Sequence, residues 1–293
     1  MKKLELFDVI NYVVMGALAV LCALPLVHVL AVSLSDSSAT NVNAVILWPV
    51  GFHLNAYAKI LGSRSFYDAL SVSVLRTILG TLSSMVVIAI TAYPLSKSKE
   101  EFQGRNLFTW FFFFTMLFSG GLVPYFLQIR NIGLLDNFLV LIIPSIMNVF
   151  NMIILMNCFR QLPASLLEAA EIDGANHFLV FTKICLPLSM PTLATLALFS
   201  MVFHWNDWFT GMILLFDPKK WPLQTYIRAL TLPNASIEDL KRLSGTDIAM
   251  MRQLSDKNFK AAQLFIATIP ILCSYPFLQK YFVKGIIVGS IKG

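Results

Sequence analysis

From Val9 to Leu34 the chain runs for 26 residues without one Asp, Glu, Lys or Arg. As a helix such a run rises about 39 Å, enough to cross a hydrocarbon core of roughly 30 Å. A cleaved signal carries an apolar segment of only about 7–15 residues, so the run behind Lys2 and Lys3 reads as a retained first span.

The same pattern recurs, with spans expected at about 9–34, 70–95, 107–127, 138–159, 192–216 and 261–282. Composition agrees: 57% of the residues are hydrophobic and 13% charged, against roughly 25% charged in soluble domains, and the mean hydropathy is +0.72. The expected fold class is therefore an all-α membrane protein of six transmembrane helices in a single domain over residues 1–293. Between the spans lie a turn-rich stretch at 36–67, a charged turn at 97–105, a short loop at 128–137, an amphipathic loop at 160–191, a long polar loop at 217–260 and a tail at 283–293. Six spans put both termini on one side. With that side cytoplasmic, the inner segments hold ten Lys and Arg against three in the short outer loops, as positive charge inside requires. The 217–260 loop dissents, placing eight basic residues outside; long loops follow the charge rule less strictly.

Several polar residues fall inside these runs. Arg76, near the outer end of the second span, is expected to snorkel to the headgroups rather than to gate or bind substrate. Gly120 and Gly121, with Pro124 and Tyr125 just beyond, suit either close helix packing or a broken helix lining a pathway. Asn148 and Asn151 share one helical face and need partners other than lipid. His204-Trp205-Asn206-Asp207-Trp208 is the most polar point in any span; Asp207 is either functional or a helix-to-helix hydrogen bond, and the tryptophans suit an interfacial belt or sugar stacking. Gly120, Gly121, Tyr125, Asn148, Asn151, Trp205, Asn206, Asp207 and Trp208 are thus the candidate translocation path.

Other chemistry is excluded. The cysteines at 22, 158, 185 and 273 and the histidines at 28, 53, 177 and 204 lack metal-ligand spacing, so no metal is expected. No catalytic set of Ser, His and acid occurs, and no cofactor motif. The formal charge of +6 comes without basic runs interleaved with stacking aromatics, which argues against nucleic acid.

The 160–191 loop holds the most informative pattern. Pro163 suits a first helical turn, and Ser165 with Glu168 predicts a capping box. Gly174 can end that helix at a positive φ, Asn176 can cap a second one through Phe178, Phe181 and Ile184, and Pro187 and Pro191 are expected to close it. Glu168-Ala169-Ala170, Gly174, Ile184 and Leu186-Pro187, at this spacing, resemble the EAA signature of binding-protein-dependent ABC importer permeases. The resemblance implies the type I importer permease fold, with a cytoplasmic helix–turn–helix hairpin coupled to an ATPase through Glu168, Ala169, Ala170, Asp173, Gly174, Phe181, Ile184, Leu186 and Pro187. The six-span plan and the Val-Gly-Ser-Ile-Lys-Gly ending are similar to the smaller subunit of the maltose-type, carbohydrate-importing group, and the regions around Gly120-Gly121, Trp205 to Trp208 and Lys284-Gly285 to its oligosaccharide and polysaccharide-fragment subgroup. It implies a bacterial cell-membrane location, a sister permease, two ATPase copies, an extracytoplasmic solute-binding protein met by the 217–260 loop, and a sugar as cargo. The chain has no phosphate-binding Gly-x-x-x-x-Gly-Lys-Ser/Thr, so the partner must supply hydrolysis. Two alternatives stand beside this reading: an importer of peptides or amino acids, and an ion-coupled carrier built on Asp207.

Overall fold

The computed structural model describes residues 6–36, 39–40, 43–231 and 257–290. Lys2 and Lys3, the 232–256 part of the long loop with Lys241, Arg242 and Arg252, and the last three residues of the tail lie outside the described residues. Within them the chain is helical, with no strand. In order the helices are α1 (Leu6–Ser33), α2 (Asn55–Leu61), α3 (Arg64–Ser96), α4 (Arg105–Leu117), α5 (Leu122–Asn131), α6 (Val149–Arg160), α7 (Ala164–Ile172), α8 (His177–Leu188), α9 (Met190–Asn206), α10 (Phe209–Leu214), α11 (Leu223–Thr231) and α12 (Lys257–Ser290). Short 3-10 turns lie at Phe138–Leu141, Ile143–Ser145 and Pro218–Lys220.

Among the described residues, α1 and α3 are each long and apolar enough to cross a membrane unaided. Three bent pairs pass the same test only together: α4 with α5 at 117°, the Phe138–Ser145 turns with α6 at 47°, and α8 with α9 at 78°. The stretch 107–127 is thus two helices. Phe118 is extended and Gly121 takes φ +88° with ψ 172°, a backbone region nearly reserved for glycine. Of the two readings of Gly120-Gly121, the broken helix is the one present. The stretch 138–159 breaks at 146–148, and 192–216 breaks at Asp207, which leaves the helix with ψ 104°. The stretch 261–282 lies within one helix, α12, which carries on to Ser290 through most of the expected tail.

The chain divides into two compact units, residues 1–68 with 226–270 and residues 69–225 with 271–293. In the first, α1 is exposed along most of its length and buries only Ala31 and Ser33 near its end. There the chain folds back on itself. Ser33 Oγ lies 2.7 Å from the Tyr57 hydroxyl, Ser35 Oγ accepts from the Val50 amide at 3.0 Å, and the His53 amide donates to the Leu34 carbonyl at 3.1 Å. Asn258, at the start of α12, donates from Nδ2 to the Ser35 carbonyl at 3.2 Å.

The second unit has two apolar clusters. One gathers Ile88, Ala92 and Leu95 of α3, Met152, Leu155 and Phe159 of α6, Val180 and Cys185 of α8 and Leu196 of α9. The other joins Ile129, Val140, Leu141, Leu214 and Leu215. Beside the second, the Asp136 carboxylate accepts the amides of Phe216 and Asp217 at 3.0 and 3.1 Å and meets Lys220 Nζ at 2.6 Å. Burial pushes the Asp136 carboxyl up, but the bonds from Lys220 and the two amides outweigh it and leave it below its ordinary value.

Candidate functional site

The hairpin builds itself from local rules. α7 starts at Ala164, directly after Pro163, which sits outside the helix with ψ 123° and offers no side-chain cap. The capping box expected from Ser165 and Glu168 is therefore absent: Ser165 already lies inside the helix, two residues past the cap position held by Pro163. The C-terminal end follows the expectation. Gly174 takes φ +77°, the Gly174 amide donates to Glu171 O at 3.0 Å and the Ala175 amide to Ala170 O at 2.9 Å, the paired bonds of a Schellman turn. Asn176 then caps α8, its side chain accepting from the Leu179 amide at 2.9 Å.

α8 is not regular. Phe181–Cys185 is a π turn immediately before Leu186 and Pro187. Proline lacks the amide that an α-helix needs four residues on, and a wider turn absorbs the defect. Pro187 therefore does not end the second arm. The break comes at Ser189, and Pro191 starts α9 instead.

The π turn presents Phe181 to Tyr93 of α3 and Phe159 of α6, with ring centroids 5.0 and 6.4 Å away; Tyr93 and Phe159 are themselves 6.3 Å apart. This socket ties the hairpin to the ends of two long helices. Sequence reading missed Tyr93 and Phe159, since nothing in local spacing joins aromatics 66 residues apart to one at 181. Lys97 Nζ reinforces the junction: it pairs with Glu101 at 2.9 Å, reaches Glu171 of α7 at 3.9 Å and stands 5.5 Å from the Tyr93 ring centre. Burial opposes the Lys97 charge, but the bond to Glu101 and the charges around it outweigh burial and hold its pKa above the ordinary value. Arg160 Nη2 donates to the Leu95 carbonyl at 2.9 Å, joining the ends of α6 and α3.

The outer face of the hairpin is open. Glu168, Ala169, Asp173, Gly174 and Pro187 are exposed, Ala170, Phe181, Ile184 and Leu186 half-buried, while Phe178 is 74% and Ile172 86% exposed. A shallow pocket of about 310 Å³ is lined by Ala170, Asp173, Gly174, Leu179, Lys183 and Ile184 among others. Apolar side chains standing in the open beside a groove are what a protein partner covers.

Elsewhere in the same unit a polar seam runs between α3 and α9. Ser73, Arg76, Thr81 and Ser84 fall at helical spacing on α3 and all are buried. Arg76 does not snorkel: its side chain is 1% exposed and pairs with Asp207 Oδ2 at 2.5 Å. It also donates from Nη1 to the Asp207 carbonyl at 2.8 Å and from Nε to the Leu141 carbonyl at 3.3 Å. A partner within reach wins over hydration when leaving it would strand a carboxylate indoors. Asp207 Oδ1 accepts the Phe209 and Thr210 amides at 3.0 and 3.1 Å, capping α10. Next to the pair, the His204 ring fills a notch at Gly80, where a Cβ would stand 2.6 Å from it. Sequence reading missed Gly80; the one usable signal for the pair was the presence of two opposite charges inside apolar runs.

Tyr125, four residues past the break at Gly121, lies within electrostatic reach of Arg76 and Asp207. Trp205 is buried, Trp208 is 39% and Tyr125 38% exposed, and Asn206 is exposed. Asn148 and Asn151, expected on one helical face away from lipid, are instead a cap and a helical residue at the start of α6. Asn148 Oδ1 accepts the Asn151 amide at 3.0 Å and caps α6, while Asn151 is buried.

A family model described as "Binding-protein-dependent transport system inner membrane component" matches residues 69–288. The chain is 40% identical over 294 residues to the polygalacturonan/rhamnogalacturonan transport system permease protein YtcP of Bacillus subtilis (strain 168), covering 99% of this chain and 100% of that one. It is 39% identical over 292 residues to protein LplC of the same organism, covering 100% and 97%. A chain from the crystal structure of a bacterial ABC transporter involved in the import of the acidic polysaccharide alginate superposes with a TM-score of 0.83 at 31% identity, over 96% of this chain and 98% of that one.

Proposed function

The chain belongs to the binding-protein-dependent transport system inner membrane components, and from that premise we propose that it is one permease half of an ATP-driven importer of oligosaccharides, with fragments of uronic-acid polysaccharides as the first cargo to test. The relatives' sugars support the cargo, since the similarity to them runs the length of the chain. The coupling role rests on one observation: a rigidly turned hairpin, open on its outer face, whose Phe181 is held between Tyr93 and Phe159 at the ends of α3 and α6.

In this reading the hairpin is cytoplasmic, as are both termini, and its exposed Glu168, Ala169, Asp173, Gly174 and Phe178 meet an ATPase subunit, present in two copies. Six spans, a sister permease and an extracytoplasmic solute-binding protein complete the assembly. Closure of the ATPases displaces the hairpin. The Schellman turn and the Asn176 cap make it move as one piece, and the aromatic socket passes the movement into α3 and α6. The breaks at Gly120-Gly121 and at Asp207, with Tyr125 and Trp208 beside them, form this chain's part of the sugar path; aromatic faces suit sugar rings. Hydrolysis belongs to the partner, and the chain itself catalyses nothing.

The ion-coupled alternative loses its basis, because Asp207 is held by Arg76 and by two backbone amides. The test is uptake of labelled oligogalacturonides and alginate oligomers by cells with and without this chain. ATP-dependent uptake lost on deletion is the expected result; uptake unchanged by deletion, or driven by an ion gradient without ATP, overturns the proposal.

A further inference from the structure

We infer that the pocket between the end of α1 and the start of α12 is a binding site for the phosphate headgroup of an anionic phospholipid. This pocket, of about 280 Å³, is lined by His28, Val29 and Val32 of α1, by Thr40, Asn43 and Val45 of the following loop, and by Lys257, Lys260, Ala261 and Leu264 of α12. Its composition is divided. Five aliphatic side chains line it, two ammonium groups stand one helical turn apart on α12, and no carboxylate is among its lining residues.

The polar groups are arranged rather than scattered. Lys257 Nζ donates to Asn43 Oδ1 at 2.8 Å, which fixes its position and leaves two of its three N–H donors for another acceptor. His28 Nδ1 lies 2.6 Å from the Ile46 carbonyl, so that contact sets the ring's orientation and turns Nε2 away from the backbone. Thr40, also in the lining, is buried. Like charges three residues apart on one helix repel weakly, and an anion held between them relieves that repulsion.

The choice of anion follows from the apolar lining and from α1. Between Asn11 and His28 that helix carries no charged residue, and it buries none of its most hydrophobic 18-residue window within the chain, so it presents a hydrocarbon-matching face that runs up to the pocket. A headgroup phosphate held by Lys257 and Lys260 leaves its acyl chains free to lie along Val29, Val32 and the exposed α1 residues below. A sugar carboxylate satisfies the lysines equally well but leaves the valines and Leu264 against hydroxyls. The inference does not depend on the sugar reading of the importer.

The probes are dioleoyl phosphatidylglycerol, dioleoyl phosphatidylcholine and trigalacturonate, each titrated into the intact detergent-purified importer and followed by native mass spectrometry. Phosphatidylglycerol is expected to bind in preference to phosphatidylcholine, and trigalacturonate not to displace it. Lys257→Gln with Lys260→Gln should weaken phosphatidylglycerol by about fivefold per lysine, roughly 25-fold for the pair. Lys257→Arg with Lys260→Arg, which keeps both charges, should retain it. Equal binding of the two lipids, or unchanged phosphatidylglycerol binding in the Gln pair, overturns the inference. So does displacement by trigalacturonate, which assigns the pocket to the sugar. If the Gln pair fails to assemble, Val29→Trp, which fills the pocket and leaves both lysines, must abolish the preference or the site is wrongly placed.

Discussion

At the hairpin, Phe181 rests on Tyr93 and Phe159, and the backbone closes itself through Gly174 and Asn176 within a few residues. In the polar seam of the same unit, Arg76 and Asp207 meet across 131 residues of chain, indoors, through full charges. The first arrangement is made of many weak, short-range terms, so it tolerates adjustment and can be displaced as a body. The second concentrates its energy in one pair and two breaks, and it has few intermediate states. In the coupling role we propose, the first acts as a lever that moves without deforming and the second as a pivot that holds until the lever has moved.

If that contrast is sound, the seam should fail abruptly and the hairpin by degrees. Arg76→Ala leaves the Asp207 carboxylate buried without its cation, a loss of about 3–5 kcal/mol, visible as a large drop in melting temperature of the detergent-solubilised protein. Neutralising both partners, Arg76→Met with Asp207→Asn, should recover a good part of it; a double variant as unstable as the single one removes the ion pair from the account. Gly80→Ala drives a methyl to 2.6 Å from the His204 ring and should cost about 1–3 kcal/mol through overpacking, with Gly80→Ala/His204→Ala milder than Gly80→Ala alone.

At the hairpin the same order of substitution should cost less stability and more function. Phe181→Ala, at a half-buried position, should lower stability by about 2 kcal/mol while ATP-driven uptake falls further than the melting curve explains; Phe181→Leu should sit between. An uptake loss that merely tracks unfolding in both variants denies the socket its transmitting role.

The smallest effect is expected at the Asp136–Lys220 contact. Both side chains are about a third exposed or more, so Asp136→Asn should cost under about 1 kcal/mol. Its pH dependence has a definite sign. The carboxyl is lowered in the fold from 3.8, so the contact stabilises above that value and its contribution is lost as pH falls through the lower folded value. Hydrogen exchange in 128–137 and 215–220 should therefore quicken on acidification, and not at neutral pH. The same logic runs the other way at Lys97, whose raised pKa keeps its contribution below 10.5 and loses it as pH climbs through the folded value.

How much of this a reader of the sequence can see follows the range of the interactions. The turn at Gly174 and the cap at Asn176 depend on neighbours within about five residues, and they stand in the structure where the pattern puts them; of the apolar runs, those at 9–34 and 70–95 fall on single helices long enough to cross a membrane, whereas 107–127, 138–159 and 192–216 are broken. Ser165 misled because the decision between Pro163 and Ser165 as the helix boundary turns on one residue's ψ. Arg76 misled for a different reason: snorkelling is the right expectation for a lone cation in a span, and nothing local reveals that Asp207 lies opposite. The break at Gly121 was one of the two readings offered by the Gly120-Gly121 pair, but the 117° angle between α4 and α5 is not legible in it, and the break at Asp207, read as a functional residue or a hydrogen bond between helices, was not foreseen. The aromatic socket was invisible, since it joins three helices in a chain with 24 phenylalanines, many of which are exposed among the described residues.

The most direct trial of the central claim uses Gly174. A Cβ added there meets nothing within 4 Å in this chain, and the strain of a side chain at positive φ is only about 1–2 kcal/mol, so Gly174→Asp should fold and reach the membrane. Its effect falls on whatever covers the hairpin. Tagged wild-type chain, extracted in mild detergent, should bring down a second permease and an ATPase; the Gly174→Asp chain should keep the permease and lose the ATPase. An ATPase recovered in the wild-type ratio with Gly174→Asp, or a wild-type chain that purifies alone, contradicts the account.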